Sequence, residues 1–316
     1  MSDTFKGYFF GIVAAVSYGT NPLGALFLYD AGLRPISVLF YRFTFAAIML
    51  AALMMVQRKS FAVTRKEAKV LLGLGLLFVA SSFTYYQSFK FMPAGLASTI
   101  LFFYPVMVAV IMAVFYGEKI RLGTIMSIAL ALVGILLLYK GDGDSTISMT
   151  GMCLVIISAL TYAVYIVLLN RSEIRMSSVK LTFYVLLICI VGNVVFSFFD
   201  PEGGLQGLPD ARSWISALWL GLVPTVLSLV SMAVAVKYIG STPTAIMGAL
   251  EPLTAVVLGV LIFHEVMTPR IALGIAMIFA AVIIIVLSKQ VSPSKVFSFV
   301  NALGHKVVKR WRWRQG

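Results

Sequence analysis

Two ionisable side chains of opposite charge stand inside otherwise apolar runs of this chain: Arg42 in the run 35 to 56 and Glu251 in the run 242 to 263. A charge in lipid is costly unless it pairs, protonates or faces water, so each is a candidate for chemistry. Glu251 is the only carboxylate so placed. It can gain and lose a proton, and it can contact an amino group. The planar guanidinium of Arg42 can grip a carboxylate through two N–H donors. Together they suit a zwitterion. Each residue also has a plain structural alternative, and these stay open. Glu251 can hold helices together through backbone freed by Pro252, and Arg42 can snorkel to lipid phosphate or cap a neighbouring helix.

Glu251-Pro252 has a counterpart in Tyr104-Pro105. The stretches 90–118 and 237–265 overlay at one constant offset of 147 residues, which sets Lys90 on Lys237, Tyr104-Pro105 on Glu251-Pro252, and Gly117-Glu118 on His264-Glu265. A fainter echo at offset 144 sets Tyr18 on Tyr162. In carriers built from inverted repeats, helix interruptions at matching places point to the binding site near the bilayer midplane. Pro105 and Pro252 are therefore the candidate hinges. At about 1.5 Å per helical residue, Tyr104 and Glu251 each lie about 15 Å deep, and Arg42 about 10 Å from the outer end of its helix. Tyr18, Tyr162 and Asn21, which with Pro22 interrupts the first run, complete the candidate substrate-binding set. Ser81, Ser82, Tyr85, Tyr86 and Gln87 are candidates for an outward path or for interhelical hydrogen bonds.

Other chemistry is missing from the sequence. There is no GxxxxGK[ST] phosphate loop, no His/Cys cluster at metal-ligand spacing and no nucleophile elbow, so ATP hydrolysis, a metal site and a cofactor are not expected. The only histidines, His264 and His305, fall at a helix end and in the tail, away from any Ser or Cys they could activate, so an enzyme is not expected either. Cys153 and Cys189 sit inside apolar runs and read as packing residues. Glu118 and Glu265 read as structural, each favouring the positive end of the helix that follows it, with Thr268-Pro269 as an N-cap and first helical residue.

The elements that position these groups are membrane helices. Hydrophobic residues make up 60% of the 316-residue chain and charged residues 12%, far from the norm for soluble domains. Apolar runs of bilayer-spanning length occur near 6–28, 35–56, 68–89, 94–115, 122–139, 149–169, 179–199, 213–236, 242–263 and 270–288. Each must be helical, since lipid offers backbone groups no hydrogen-bond partner. The repeat then gives five helices per copy, and an odd number between the copies inverts the second. Lys6 before the first run resembles a secretory signal, but the run is long, lacks a small-residue cleavage site and is followed by nine like it, so it reads as retained.

With a cytoplasmic N-terminus, 19 Lys and Arg fall on inside segments against 5 outside, so both termini are expected in the cytoplasm of a cell that carries the chain in its plasma (inner) membrane. The net charge of +13 invites a nucleic-acid partner, but much of the excess lies in residues 289–316. There Val296, Val300, Leu303, Val307 and Trp311 recur at helical spacing beside Lys306, Lys309, Arg310, Arg312 and Arg314. This is the pattern of a basic helix on the anionic inner leaflet, and nucleic acid is not an expected partner.

These motifs carry a family resemblance. The paired Tyr104-Pro105 and Glu251-Pro252, the helix-ending Gly117-Glu118 and His264-Glu265, and the closing segment GTIMSIALALVGILLL resemble the EamA family of the drug/metabolite transporter superfamily over about residues 6–288. The resemblance implies ten helices in inverted halves and no ATP hydrolysis. It also implies transport of small metabolites, often amino acids, commonly outward and driven by a proton gradient or by the solute's own. His264 stands where the first copy has Gly117, so a differently built turn is expected there.

The expectation is an all-α integral membrane protein of ten transmembrane helices in two inverted five-helix repeats, 1–140 and 141–290, followed by a basic amphipathic C-terminal helix in 291–316. The function expected is secondary active export of an amino acid or related metabolite by alternating access. The alternatives are an uptake carrier or facilitator for another solute and, in a different class, a membrane scaffold without transport. Expected partners are a small-molecule solute, protons and membrane lipids, with a homodimer left open.

Overall fold

A computed structural model describes residues 3–117, 122–139, 148–172, 176–199, 204–239, 244 and 247–288. The expected C-terminal helix lies outside the described residues, as does Glu118. Among the described residues every regular element is helical. The helices are α1 Asp3–Gly19, α2 Asn21–Asp30, α3 Pro35–Val56, α4 Arg65–Ser88, α5 Ala94–Leu101, α6 Tyr104–Tyr116, α7 Leu122–Tyr139, α8 Met149–Arg171, α9 Ser178–Phe198, α10 Ala211–Gly221, α11 Ser228–Ile239, α12 Leu250–Phe263 and α13 Pro269–Ser288. A π-helical turn, Leu222–Leu227, joins α10 to α11. Among the described residues seven helical stretches are long and apolar enough to cross a bilayer, among them Asp3–Asp30, Ala94–Tyr116 and Ala211–Ile239, and three shorter apolar helices lie at 125–137, 250–263 and 269–284.

The helix ends follow from local chemistry. Thr64 and Glu67 form a capping box at the start of α4, with the Thr64 N–H donating to Glu67 Oε2 at 2.8 Å and Thr64 Oγ1 accepting from the Glu67 N–H at 3.3 Å. Asp210 Oδ1 accepts from the Ser213 N–H at 2.7 Å, and its contact with Ser213 holds the carboxyl below the usual aspartate range. Such caps lie outside the apolar windows, which is why α4 and α10 begin two or three residues before the apolar runs do. Thr268 Oγ1 accepts from the Ile271 N–H, the N-cap expected there. The helices α6 and α12 end alike, with Gly117 at φ 66° and His264 at φ 55°, so the differently built turn expected at His264 is not found.

Long apolar side chains such as Val114, Phe115, Val191, Ile215 and Leu261 face outward, as a lipid solvent requires, while small residues let helices approach. With the ten apolar stretches counted in chain order, the extensive contacts include first with eighth (α1 with α11), second with seventh (α3 with α9), third with sixth (α4 with α8), fourth with ninth (α5 with α12) and fifth with tenth (α7 with α13). Exchanging each stretch with the one five further along leaves this set unchanged.

One sequence expectation needs correction. Glu265 does not serve the helix that follows it. The left-handed turn at His264 folds the chain back, and the Glu265 carboxylate accepts from the N–H groups of Ala94 (2.8 Å) and Gly95 (3.3 and 3.4 Å), the orphan donors at the start of α5. Burial pushes this carboxyl above the usual glutamate range, against the pull of the two N–H donors.

Candidate functional site

Three helix interruptions meet at the centre of the bundle. The first stretch breaks at Thr20 between α1 and α2, with Asn21-Pro22 opening α2. The fourth breaks at Phe102-Phe103 between α5 and α6, and Pro105 is the second residue of α6. Pro252 is the third residue of α12. Each proline thus falls in a first helical turn, where its missing N–H leaves nothing unsatisfied. The breaks pack closely. A Cβ on Gly19 would meet the Glu251 carbonyl at 2.5 Å, so only glycine lets the first break sit against the start of α12.

Around these breaks lies a cavity of about 210 Å³. That is space for about seven water molecules and falls below the roughly 300 to 1,000 Å³ of drug-sized sites, so it fits a small solute. Tyr18, Arg42, Tyr104, Tyr162 and Glu251 all line it, joined by Ser81, Ser82, Tyr85 and Tyr86 from α4. Five of the six candidate binding residues therefore converge. Asn21 is the exception: it lies buried behind the wall, where Oδ1 accepts from the Tyr86 hydroxyl at 2.7 Å and Nδ2 has no partner. The sequence did not single out Phe78, Ser98, Phe102 or Ser228, which also line the cavity.

Arg42 is buried at 4% exposure. Its Nε donates to Thr225 Oγ1 at 3.0 Å and its Nη1 to the Tyr86 hydroxyl at 2.9 Å, while its head lies 5.6 Å from the Phe43 and Tyr86 ring centres. The snorkelling alternative is thereby set aside, because the guanidinium turns inward. It has no carboxylate partner among the described residues.

Glu251 lines the same cavity from the first turn of α12. No described side chain donates a hydrogen bond to its carboxylate, which opens on the cavity. Tyr18 lies within electrostatic reach of both Arg42 and Glu251, and Tyr104 and Tyr162 within reach of Glu251. The Tyr104 ring meets that of Tyr162 edge to face at 4.7 Å, and Tyr162 stacks on Tyr165 at 5.7 Å. The site is an aromatic box with one cation and one acid set into its walls. Among the described residues no three His, Cys, Asp or Glu side chains gather as a metal site would require.

A bundle of membrane-spanning helices around a solute-sized, largely apolar cavity, with Arg42, Glu251 and tyrosine hydroxyls set into its walls, defines a multi-pass membrane protein of the transporter class. Comparison with known proteins agrees: the chain belongs to the EamA-like transporter family, whose pattern it matches over residues 5–140 and 149–287. It is similar to an uncharacterized transporter of Archaeoglobus fulgidus, 28% identical over 275 residues, covering 86% of this chain and 93% of that one. An uncharacterized transporter of Clostridium kluyveri is 24% identical over 298 residues, covering 88% and 92%. A solved crystal structure shares the fold with a TM-score of 0.64 at 17% identity, over 88% of this chain and 95% of the other. The family and these relatives are transporters, not enzymes.

Proposed function

We propose that this transporter exports a small zwitterionic metabolite, an amino acid or close relative, across the plasma (inner) membrane by alternating access. The observation that carries the proposal is that Arg42 and Glu251 line one aromatic cavity and neither is neutralised by a described partner. Arg42 receives the solute carboxylate and Glu251 its amino group. Glu251 also takes up and releases a proton as the cavity changes sides, which couples export to a proton gradient. Pro105 and Pro252 act as hinges at which the half-helices bend. Helix pairing that survives exchange of each stretch with its fifth neighbour supports two related halves, 1–140 and 141–290, rocking about the midplane. Both termini face the cytoplasm, and the basic tail 291–316 lies on the anionic inner leaflet. A scaffold without transport would pack Glu251 in apolar side chains, and the cavity argues against it.

The test is uptake of radiolabelled leucine, methionine and phenylalanine into proteoliposomes, with and without an imposed pH gradient. Accumulation driven by the gradient in the unmodified protein, reduced to gradient-independent equilibration in Glu251→Gln, is the expected result. Uptake by Glu251→Gln with unchanged dependence on the gradient would remove the proton role.

A further inference from the structure

We infer that Thr225, on the π-helical turn of the eighth stretch, is the positioning residue that aims Arg42 at its anionic ligand. The inference rests on Arg42 acting as the carboxylate grip, and it adds that residues 222–227 complete the grip from the other half of the chain.

The geometry begins with a proline. In an α-helix the N–H of residue 224 would bond the carbonyl of Leu220, but Pro224 has none. The chain answers with a π turn over Leu222–Leu227, and the Thr225 hydroxyl donates to the Leu220 carbonyl at 2.9 Å. A hydroxyl has one proton and two lone pairs. With its proton spent on Leu220, Thr225 Oγ1 turns acceptor density toward α3, where it receives Arg42 Nε at 3.0 Å. Both residues are buried at 4% exposure.

The neighbouring contact is built to match. A Cβ on Gly221 would meet Phe45 Cβ at 2.8 Å, the Ala46 N at 3.1 Å and the Arg42 carbonyl at 3.3 Å, so α10 rides directly on the α3 backbone at the level of Arg42. Nε is the guanidinium nitrogen nearest the stem, and fixing it there fixes the plane of the whole group. The terminal nitrogens, of which Nη1 already reaches Tyr86, become the end that meets a ligand. Without the Thr225 bond the guanidinium would be held only by the tyrosine hydroxyls of Tyr86 and Tyr18, with no partner fixing Nε, and bidentate binding depends on orientation.

The test compares Thr225→Val, which keeps the shape and loses the hydroxyl, with Thr225→Ser, which keeps the hydroxyl. Uptake of labelled leucine, methionine and phenylalanine into proteoliposomes is read as KM and maximal rate separately, alongside inhibition by isopentylamine, an apolar amine without a carboxylate. Thr225→Val is expected to raise KM about tenfold with the maximal rate largely kept, the scale of one lost bond to a charged group. Inhibition by the amine should stay unchanged, and Thr225→Ser should restore KM to within about twofold. If Thr225→Val is poorly assembled by size-exclusion chromatography, Thr225→Ala takes its place in the same comparison. A variant that lowers the maximal rate with KM unmoved, or one that weakens the amine as much as the amino acids, overturns the positioning role. Arg42→Gln separates the two levels: an unchanged KM there sinks the carboxylate-grip reading beneath, whereas a lost affinity there beside normal Thr225→Val kinetics sinks this inference alone. Failure of the unmodified protein to take up any of the three amino acids overturns both.

Discussion

The carboxylate of Glu265 accepts a hydrogen bond from the backbone N–H of Ala94 at 2.8 Å, across a separation of 171 residues. An acid at the end of the ninth stretch thus caps the start of the fourth, and the two stretches carrying the matched prolines are tied at one end. Two glycines make room for it. A Cβ on Gly95 would meet Glu265 Oε2 at 2.8 Å, and one on Gly259 would collide with the same oxygen. At the matching offset, Gly95 and Gly259 correspond to Thr242 and Met112, which carry side chains.

Gly259→Ala is expected to expel the carboxylate from its slot, leaving the Ala94 and Gly95 donors unpaired, at a cost of about 1 to 3 kcal/mol. Adding Glu265→Ala to that variant should recover part of the steric term, so the double variant melts above the sum of the two single losses. Melting temperatures of the four proteins in one detergent check this. Strict additivity would show that Gly259 and Glu265 are not coupled.

Tyr86→Phe removes one hydroxyl that serves two partners, accepting from Arg42 and donating to Asn21. Asn21 Nδ2 is already without a partner, so this variant leaves both polar atoms of the Asn21 side chain unpaired in a buried place. The expected loss is about 1 to 3 kcal/mol, larger than for Tyr85→Phe, whose hydroxyl pairs with Ser98 Oγ, a group that keeps the Ala94 carbonyl as a second partner. Thermal melts of the two variants side by side decide it.

Charged and aromatic residues were legible because they conflict with lipid. Arg42, Glu251, Tyr18, Tyr104 and Tyr162 stand out from apolar neighbours, and the prolines at 105 and 252 mark breaks that the fold places in first helical turns. Thr225 was not legible. Hydroxyl residues in apolar helices commonly bond the carbonyl one turn back, as Thr84 does to Ala80, Thr99 to Gly95 and Thr161 to Ile157. Nothing in the local sequence separates Thr225 from these, because its role comes from a π turn and from a helix 183 residues away. Asn21 was legible as a polar interruption, but the side of the wall on which it falls depends on Tyr86. The partner of Glu265 was hidden for the same reason: the glycine slot that admits it is shared by two helices far apart in sequence.

Asp210 gives a pH prediction outside the membrane. Its folded carboxyl is held below the usual aspartate value by Ser213, so it contributes stability that is present above the unfolded value and is lost as pH falls through the folded one. The start of α10 should weaken as pH drops from about 5 to 3. In Asp210→Asn the cap persists without a titrating group, and the melting temperature should fall less over that interval. Equal slopes for the two proteins would show that Asp210 carries none of the acid sensitivity.

His264 holds a left-handed conformation at φ 55°, ψ 32°, in the place where the other copy uses Gly117 at φ 66°, ψ 21°. A side chain costs about 1 to 2 kcal/mol in that region, while glycine there gives back about 0.5 to 1 kcal/mol through its freer unfolded chain. His264→Gly should therefore stabilise the protein by about 0.5 kcal/mol, and His264→Val, whose branched side chain tolerates the region least, should destabilise it. The position also governs Glu265, because this turn brings its N–H back to the Gly259 carbonyl at 3.0 Å and its carboxylate to α5. His264→Val should accordingly lower the melting temperature by more when Glu265 is present than in a Glu265→Ala background. The same increment in both backgrounds would mean that the turn and the cap are independent.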